Sequence, residues 1–329
     1  MEALSYLACP PLDAGRYGSW FTDTTIWRPY VEWVARRHGL APPEVLSVGH
    51  PGSHPVFLAG GGYVVKFYAP HWPADARNEA AVYEWLQATP AGVLPHPARL
   101  AADRLFPGHA AWAWPYMVFD SMRGVPLEVA AAGWSEASWI TAATTLGQIV
   151  RALHEMPWDN LASDLAVWSE CELSDLARTA PDRRRREPIW ARLDFGGWSA
   201  HWHEVLEESS RAPCLVHGDL TRDHVFVEES SGPFQITGLI DWADARIGDA
   251  TYELVSLYLD LFRGRPDHLA AFRSGYGDGP MFQPGWKRRA TAFLLAYRFE
   301  IESMLGAMRP ALSSATGIDQ VEEIVWAGL

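Results

Sequence analysis

The chain has 329 residues, with 40 acidic against 27 basic side chains and a formal net charge of −13. That balance argues against a fold-wide basic footprint for nucleic acid, and an apolar fraction of 48% supports a buried core rather than disorder. No apolar run approaches the roughly 20 residues needed to span a membrane, the N-terminus lacks a basic-apolar leader pattern, and Cys9, Cys171 and Cys214 form no disulfide or zinc spacing. A cytoplasmic monomer with neither nucleic-acid nor membrane partners is expected.

In chain order, the segment from Thr25 to His38 places Ile26, Tyr30, Val31 and Val34 on one helical face, with Thr24 or Thr25 as its cap. After Pro42-Pro43, the stretch VLSVGHPGSHPVFLAGGGYVVKFYA alternates β-formers with glycine turns. It predicts an antiparallel meander with Lys66 in its third strand. Residues 74–86 predict a helix with Glu79 near its middle, and residues 110–119 a strand ending at Asp120-Ser121-Met122-Arg123-Gly124. Beyond Gly124 helices dominate, the first over Ile140 to Glu155. The run Arg183 to Arg186 reads as a solvated basic face or loop, with a phosphate-binding patch as the alternative. Cys214 to Val227 predicts strand, loop and strand, and Gln235 to Ile240 a further strand. A helix follows from near Asp249, which caps it, and another covers Lys287 to Leu305. The plan is α+β, with a smaller β-rich N-terminal lobe over residues 1–122, a short hinge near 120–124 and a larger helical C-terminal lobe over 123–329.

Two features carry chemistry. Lysine occurs only twice, at Lys66 and Lys287, in a chain whose other strong bases are arginines. A residue kept as a compact point charge in such a chain is a functional candidate, although a strand lysine also snorkels for purely structural reasons. The second feature is His217-Gly218-Asp219-Leu220-Thr221-Arg222-Asp223-His224 on a loop between β-like runs, followed by Asp241 at the end of a strand. A returning hairpin brings Asp219 and Asp241 near each other with His224 close by, and two converging carboxylates suit a divalent metal and a general base. Taken singly, either aspartate also fits a turn or cap. A hydrolase metal site on His217, Asp219 and His224 lacks a further ligand set.

His217-Gly218-Asp219 with His224, then Leu239-Ile240-Asp241-Trp242 and Gly248-Asp249, resembles the aminoglycoside phosphotransferase family across nearly the whole chain. The resemblance implies a bilobal protein-kinase-like fold, ATP or GTP with Mg2+, and transfer to a hydroxyl of an aminoglycoside-like small molecule. It implies that Asp219 is the catalytic residue receiving the hydroxyl proton, and that Asp241 holds the metal with His224 as an auxiliary ligand. Lys66 then holds nucleotide phosphates with Glu79 as its partner, Ser53 covers them, and the backbone at Asp120 and Met122 holds the base. His224 stands where the family usually has Asn, although macrolide kinases of the family carry His there. Pro51-Gly52-Ser53-His54-Pro55-Val56, Val65-Lys66-Phe67 and Trp112-Ala113-Trp114-Pro115-Tyr116 resemble members acting on hygromycin B, which makes that antibiotic the expected acceptor and resistance the expected outcome. A polycationic acceptor calls for acids, and Asp244 and Glu253 are the first candidates, with Asp260, Glu300 and Glu302 behind them. A kinase of a macrolide or metabolic sugar, or a nucleotide-binding pseudokinase, is the alternative.

Overall fold

The computed structural model describes residues 4–5, 7, 14–50, 52–90, 92–108, 114–159, 161, 165, 170–209, 212–228 and 235–329. The first four positions of the strand expected over 110–119 lie outside them, as does Cys9.

Two helices open the chain, α1 (Ala14–Phe21) and α2 (Thr24–Arg37). Asp23, rather than either threonine, caps α2, its Oδ1 accepting from the Thr25 and Ile26 amides at 2.8 and 3.2 Å. The sheet follows as β1 (Leu46–Val48), β2 (Val56–Ala59) and β3 (Tyr63–Phe67), then helix α3 (Asp75–Ala88), then β4 (Arg99–Leu105) and β5 (Trp114–Asp120). Its order is β1-β2-β3-β5-β4, every neighbour pair antiparallel. The meander and the place of Lys66 in its third strand match the sequence pattern. Strand β4 does not appear in that pattern, because RLAADRL alternates around short alanines rather than around large apolar side chains. Helix α2 covers one face of the sheet. Trp27 is fully buried there, its ring 4.8 Å from Phe67 and 5.4 Å from Trp114. Aromatic contacts of this kind add to the area each ring removes from water.

The sheet ends at Asp120, and residues 121–124 lead to the short strand β6 (Val125–Pro126). Helix α4 (Leu127–Ala130), the long α5 (Glu136–Glu155), α6 (Glu170–Arg184) and α7 (Trp198–Ser209) come next. Strands β7 (Cys214–Val216), β8 (Val225–Glu228), β9 (Gln235–Leu239) and β10 (Arg246–Gly248) then form two small sheets, β6-β8-β9 and β10-β7. Helix α8 (Glu253–Ser256) continues as a wider turn through Leu261, and α9 (Pro266–Tyr276), α10 (Trp286–Ala296), α11 (Glu302–Met308) and α12 (Ile318–Val325) complete the chain. No described helix is long and apolar enough to cross a membrane.

Two sequence expectations are corrected here. The helix expected over 287–305 is broken between Ala296 and Glu302. The arginine run is only in part the solvated segment expected, since Arg185 and Arg186 are exposed but Arg184 is fully buried. Its Nη2 donates to the carbonyls of Tyr297 and Phe299 at 2.6 Å each, and its Nη1 lies 2.7 Å from Glu187 Oε1. Glu187 Oε2 in turn accepts from the Ile301 amide at 3.3 Å. The pair therefore satisfies backbone groups freed by the break, as buried polar groups require.

Candidate active site

Lys66 on β3 is the centre of a buried charge cluster. Its Nζ donates to Glu79 Oε2 at 2.6 Å and to Asp241 Oδ1 at 2.8 Å. Tyr68 donates its hydroxyl to the same Glu79 oxygen at 2.7 Å. Helix α3 is fastened to the chain just past Asp241. Asn78 Nδ2 donates to the Ala243 carbonyl at 3.0 Å, and the Trp242 amide lies 3.4 Å from Glu79 Oε1. The sheet, α3 and the end of β9 are thus joined at one point.

Asp241 itself has φ of +63° and ψ of +70°, a left-handed conformation that aspartate tolerates better than most residues. Burial works against its charge, but Lys66 and His224 hold its carboxyl well below the usual carboxylate range. Burial opposes the Lys66 charge too, and Asp241 and Glu79 more than offset this, keeping the ammonium protonated above its ordinary range.

The loop after β7 carries the second group. Gly218 has φ of +82°, and a Cβ there would lie 2.5 Å from the Asp244 carbonyl oxygen, so only glycine fits. His217 is fully buried, donates from Nε2 to the Ile240 carbonyl at 3.0 Å and accepts the Asp219 amide on Nδ1 at 3.4 Å. Both bonds require the neutral ring, and burial lowers its pKa to about 4. Burial pushes the Asp219 carboxyl up to about 6, with His224 pulling it down and Asp244 and Asp241 adding to the rise.

His224 donates from Nδ1 to the Asp219 carbonyl at 2.7 Å, which leaves Nε2 turned to Asp241 Oδ2 at 3.8 Å. A ring whose one nitrogen is fixed on a carbonyl and whose other faces a carboxylate has the form of a metal-ligating histidine. Asp241 and His224 therefore fit a divalent cation held by one oxygen and one nitrogen donor.

Ser53 lies exposed on the bend between β1 and β2. The end of that bend is tied down, because His54 is buried, accepts the Ala69 amide at 3.1 Å and meets Asp75 of α3 at 3.0 Å. On the same bend His50 reaches Asp223 at 3.4 Å. Asp120 and Met122 sit where the sheet ends, the Asp120 carboxylate accepting from the Ala98 amide at 2.5 Å. The Met122 side chain covers Gly238 of β9, where an added Cβ would come within 2.2 Å of its methyl carbon.

Glu253 is not an acceptor-side acid. It is fully buried beneath the loop, accepting from the amides of His217 at 2.8 Å and Gly218 at 2.9 Å. Burial alone would raise its pKa, but His154 and His217 bring it below the ordinary value. Two turns of helix continue the support. The Leu220 amide donates to Ser256 Oγ at 3.1 Å and the Arg222 amide to Asp260 Oδ1 at 2.8 Å. Glu253, Ser256 and Asp260 recur at helical spacing as polar residues within an apolar run, the one sequence signal that marks this ladder.

Asp244 lines a cavity of about 380 Å³ together with Trp202, Arg246, Tyr252, Phe293 and Arg298. Asp244 and Arg298 form an ion pair and lie close enough to shift Asp219 in opposite senses.

A model of the phosphotransferase enzyme family matches residues 45–291, three-quarters of the chain. The chain belongs to that family. An aminoglycoside 3'-phosphotransferase of Streptomyces fradiae is 25% identical over 294 residues, covering 86% of this chain and 96% of that one. The GDP complex of wild-type aminoglycoside 2'-phosphotransferase-IIIa superposes with a TM-score of 0.64 at 18% identity, over 91% of this chain and 98% of that one. The apoenzyme of a macrolide 2'-phosphotransferase from Brachybacterium faecium gives 0.53 at 19% identity, over 91% and 98%. The architecture is the protein-kinase-like one of these phosphotransferases, an antiparallel N-terminal sheet followed by a mainly helical part.

Proposed function

We propose that this chain transfers the γ-phosphoryl group of ATP or GTP to a hydroxyl of a glycosidic small molecule. The observation that carries the reading is the convergence of Lys66, Asp241, His224 and Asp219 through contacts of 2.7 to 3.8 Å. Phosphoryl transfer needs positioning and charge neutralisation more than covalent chemistry, and these groups supply both.

In this reading the acceptor hydroxyl oxygen attacks phosphorus, the bond to the β–γ bridging oxygen breaks, and the nucleoside diphosphate leaves. Asp219 receives the hydroxyl proton, while Lys66, fixed by Glu79, binds the α- and β-phosphates. Ser53 and its loop cover the phosphates, and the backbone at Asp120 and Met122 orients the base between residues 1–122 and 123–329. Mg2+ neutralises phosphate charge when bound, and Asp241 and His224 are the residues that would hold it.

For the acceptor, the sequence likeness names hygromycin B, and the relatives' names point to aminoglycosides and to a macrolide. The test is mass spectrometry of reactions with hygromycin B, kanamycin, a macrolide and a plain sugar, each with ATP or GTP and Mg2+. A product about 80 Da heavier is one phosphoryl group gained, and a resistance panel in a susceptible bacterium gives the cellular counterpart. Nucleotide binding with no product from any acceptor would favour the pseudokinase reading.

A further inference from the structure

Among its described lining residues, the cavity at Asp244 offers no acid free to receive a polycation, and this bears on the acceptor that the proposed reaction uses. Among its described lining residues are two carboxylates, Asp175 and Asp244, and three guanidinium groups, Arg178, Arg246 and Arg298. Each acid already has a base. Asp175 Oδ1 lies 2.9 Å from Arg178, and Asp244 pairs with Arg298. The remaining acids expected on the acceptor side are engaged elsewhere or absent from the lining. Glu253 is buried beneath the loop and Asp260 holds the Arg222 amide. Glu302 Oε1 accepts from the Ile189 amide at 3.1 Å, and Glu300 does not line the cavity.

Arg246 is left over. It is half-buried, and its Nη1 donates to the Ala245 carbonyl at 2.7 Å and lies 3.4 Å from the Ala243 carbonyl. No described carboxylate lies within ion-pair distance of it. Those carbonyls fix one edge of a planar group whose fork geometry matches a carboxylate or phosphate. The same cavity is lined by aromatic rings. Phe293 meets Tyr252 edge-on at 5.6 Å and Trp202 at 5.8 Å, and Tyr297 lies 6.3 Å from Tyr252. Such a wall takes an apolar surface.

We propose that the acceptor is a hydroxylated amphipathic molecule carrying one acidic group, with Arg246 receiving that group and the aromatic wall receiving the apolar part. The proposal rests on the phosphotransfer reading above. The reaction balances as written there: the acceptor oxygen gains the phosphoryl group, its proton passes to Asp219, and the nucleoside diphosphate departs. The acidic group is a handle and takes no part in bond making.

Two glycosides that share a tail and differ at one carbon test it. Octyl β-D-glucuronide carries a carboxylate where octyl β-D-glucoside carries a hydroxymethyl group. Hygromycin B and kanamycin serve as polycations. With ATP and Mg2+, kcat/KM for the glucuronide is expected to exceed that for the glucoside by about tenfold or more, the order of one charge-assisted hydrogen bond. Arg246→Gln should bring the two glycosides level, and Arg246→Lys should restore part of the difference. A preference for the polycations, equal use of the two glycosides, no use of the glucuronide, or a preference that survives Arg246→Gln would each overturn the proposal. Calorimetric binding of a non-hydrolysable ATP analogue runs beside it. Loss of nucleotide binding would count against the phosphotransfer reading itself, whereas intact binding with transfer only to a polycation would overturn this inference alone.

Discussion

Lys66 donates to Asp241 at 2.8 Å although 175 positions separate them in the chain. The contact joins the N-terminal sheet to the end of β9, and Glu79 closes it from α3 at 2.6 Å. Three charged groups held this closely make a site in which removing any one changes the protonation and position of the others.

Asp241→Asn is therefore expected to act on nucleotide binding before chemistry. The variant loses a carboxylate facing both Lys66 and His224 and so loses charge that a divalent cation needs. Calorimetric titration with a non-hydrolysable ATP analogue, with and without Mg2+, should show the Mg2+-dependent part of the affinity falling by about tenfold or more, as loss of a charged metal ligand implies. Equal Mg2+ dependence in parent and variant would remove Asp241 from that role.

Asp219 gives a prediction with two readouts that move apart. As proton acceptor it must be ionised, and its pKa is raised to about 6. Turnover should fall about tenfold per pH unit below that value, and Asp219→Asn should lower it by roughly 10²-fold or more at pH 8. The same raised pKa disfavours the folded state once the carboxyl ionises. Its stabilising effect is present below the unfolded pKa near 4 and is lost as pH rises through 6. Asp219→Asn should thus be at least as stable as the parent at pH 8, by on the order of 2 kcal/mol, and the advantage should vanish near pH 4. Thermal melts at the two pH values measure it. An inactive variant that is also strongly destabilised at pH 8 would indicate a structural role instead.

Glu253 separates support from chemistry. Glu253→Ala leaves the His217 and Gly218 amides buried without an acceptor, at a cost of about 2–5 kcal/mol for two such groups. Glu253→Gln keeps one oxygen acceptor and should cost less. In the Gln variant, kcat should drop while affinity for the ATP analogue stays near the parent value, because the loop carrying Asp219 loosens and the Lys66 cluster does not. Urea unfolding and steady-state kinetics on the two variants distinguish these effects. A Gln variant with full turnover would show that the loop holds its geometry without Glu253.

How much of this is legible in the sequence depends on the range of each interaction. Lys66, Glu79, Asp219, His224 and Asp241 stand in short windows whose residue types already carry the chemistry, and the structure brings them together. Glu253 has the same acidic appearance as Asp244 in the sequence, yet it points down into the fold, because the helix it opens packs under the loop. Arg184 is hidden for a similar reason. Its partners are the carbonyls of Tyr297 and Phe299, more than 110 positions away, and no local pattern announces a buried arginine. Asp244 reads in the sequence as a free acid, because its partner Arg298 stands 54 positions away.

His217 supplies the last prediction, an acid-sensitive contribution to stability. In the fold its ring is neutral, with Nε2–H on the Ile240 carbonyl and Nδ1 accepting from Asp219, and its pKa is lowered to about 4. In the unfolded chain an ordinary histidine titrates near 6.5. The unfolded state therefore binds a proton first as pH falls, and stability is lost progressively from about pH 6.5 down to pH 4. At pH 5 the loss from this group relative to pH 7.5 is about 2 kcal/mol. Asp219 works in the opposite direction over part of the same range, so a single pH series on the parent would mix the two. His217→Gln separates them, since glutamine offers a donor and an acceptor but does not titrate. Urea midpoints of parent and variant at pH 7.5 and pH 5 should converge or cross as pH falls, the parent losing about 2 kcal/mol against the variant. A stability difference that stays constant across that window would mean that His217 does not keep its neutral, doubly bonded state in the folded protein.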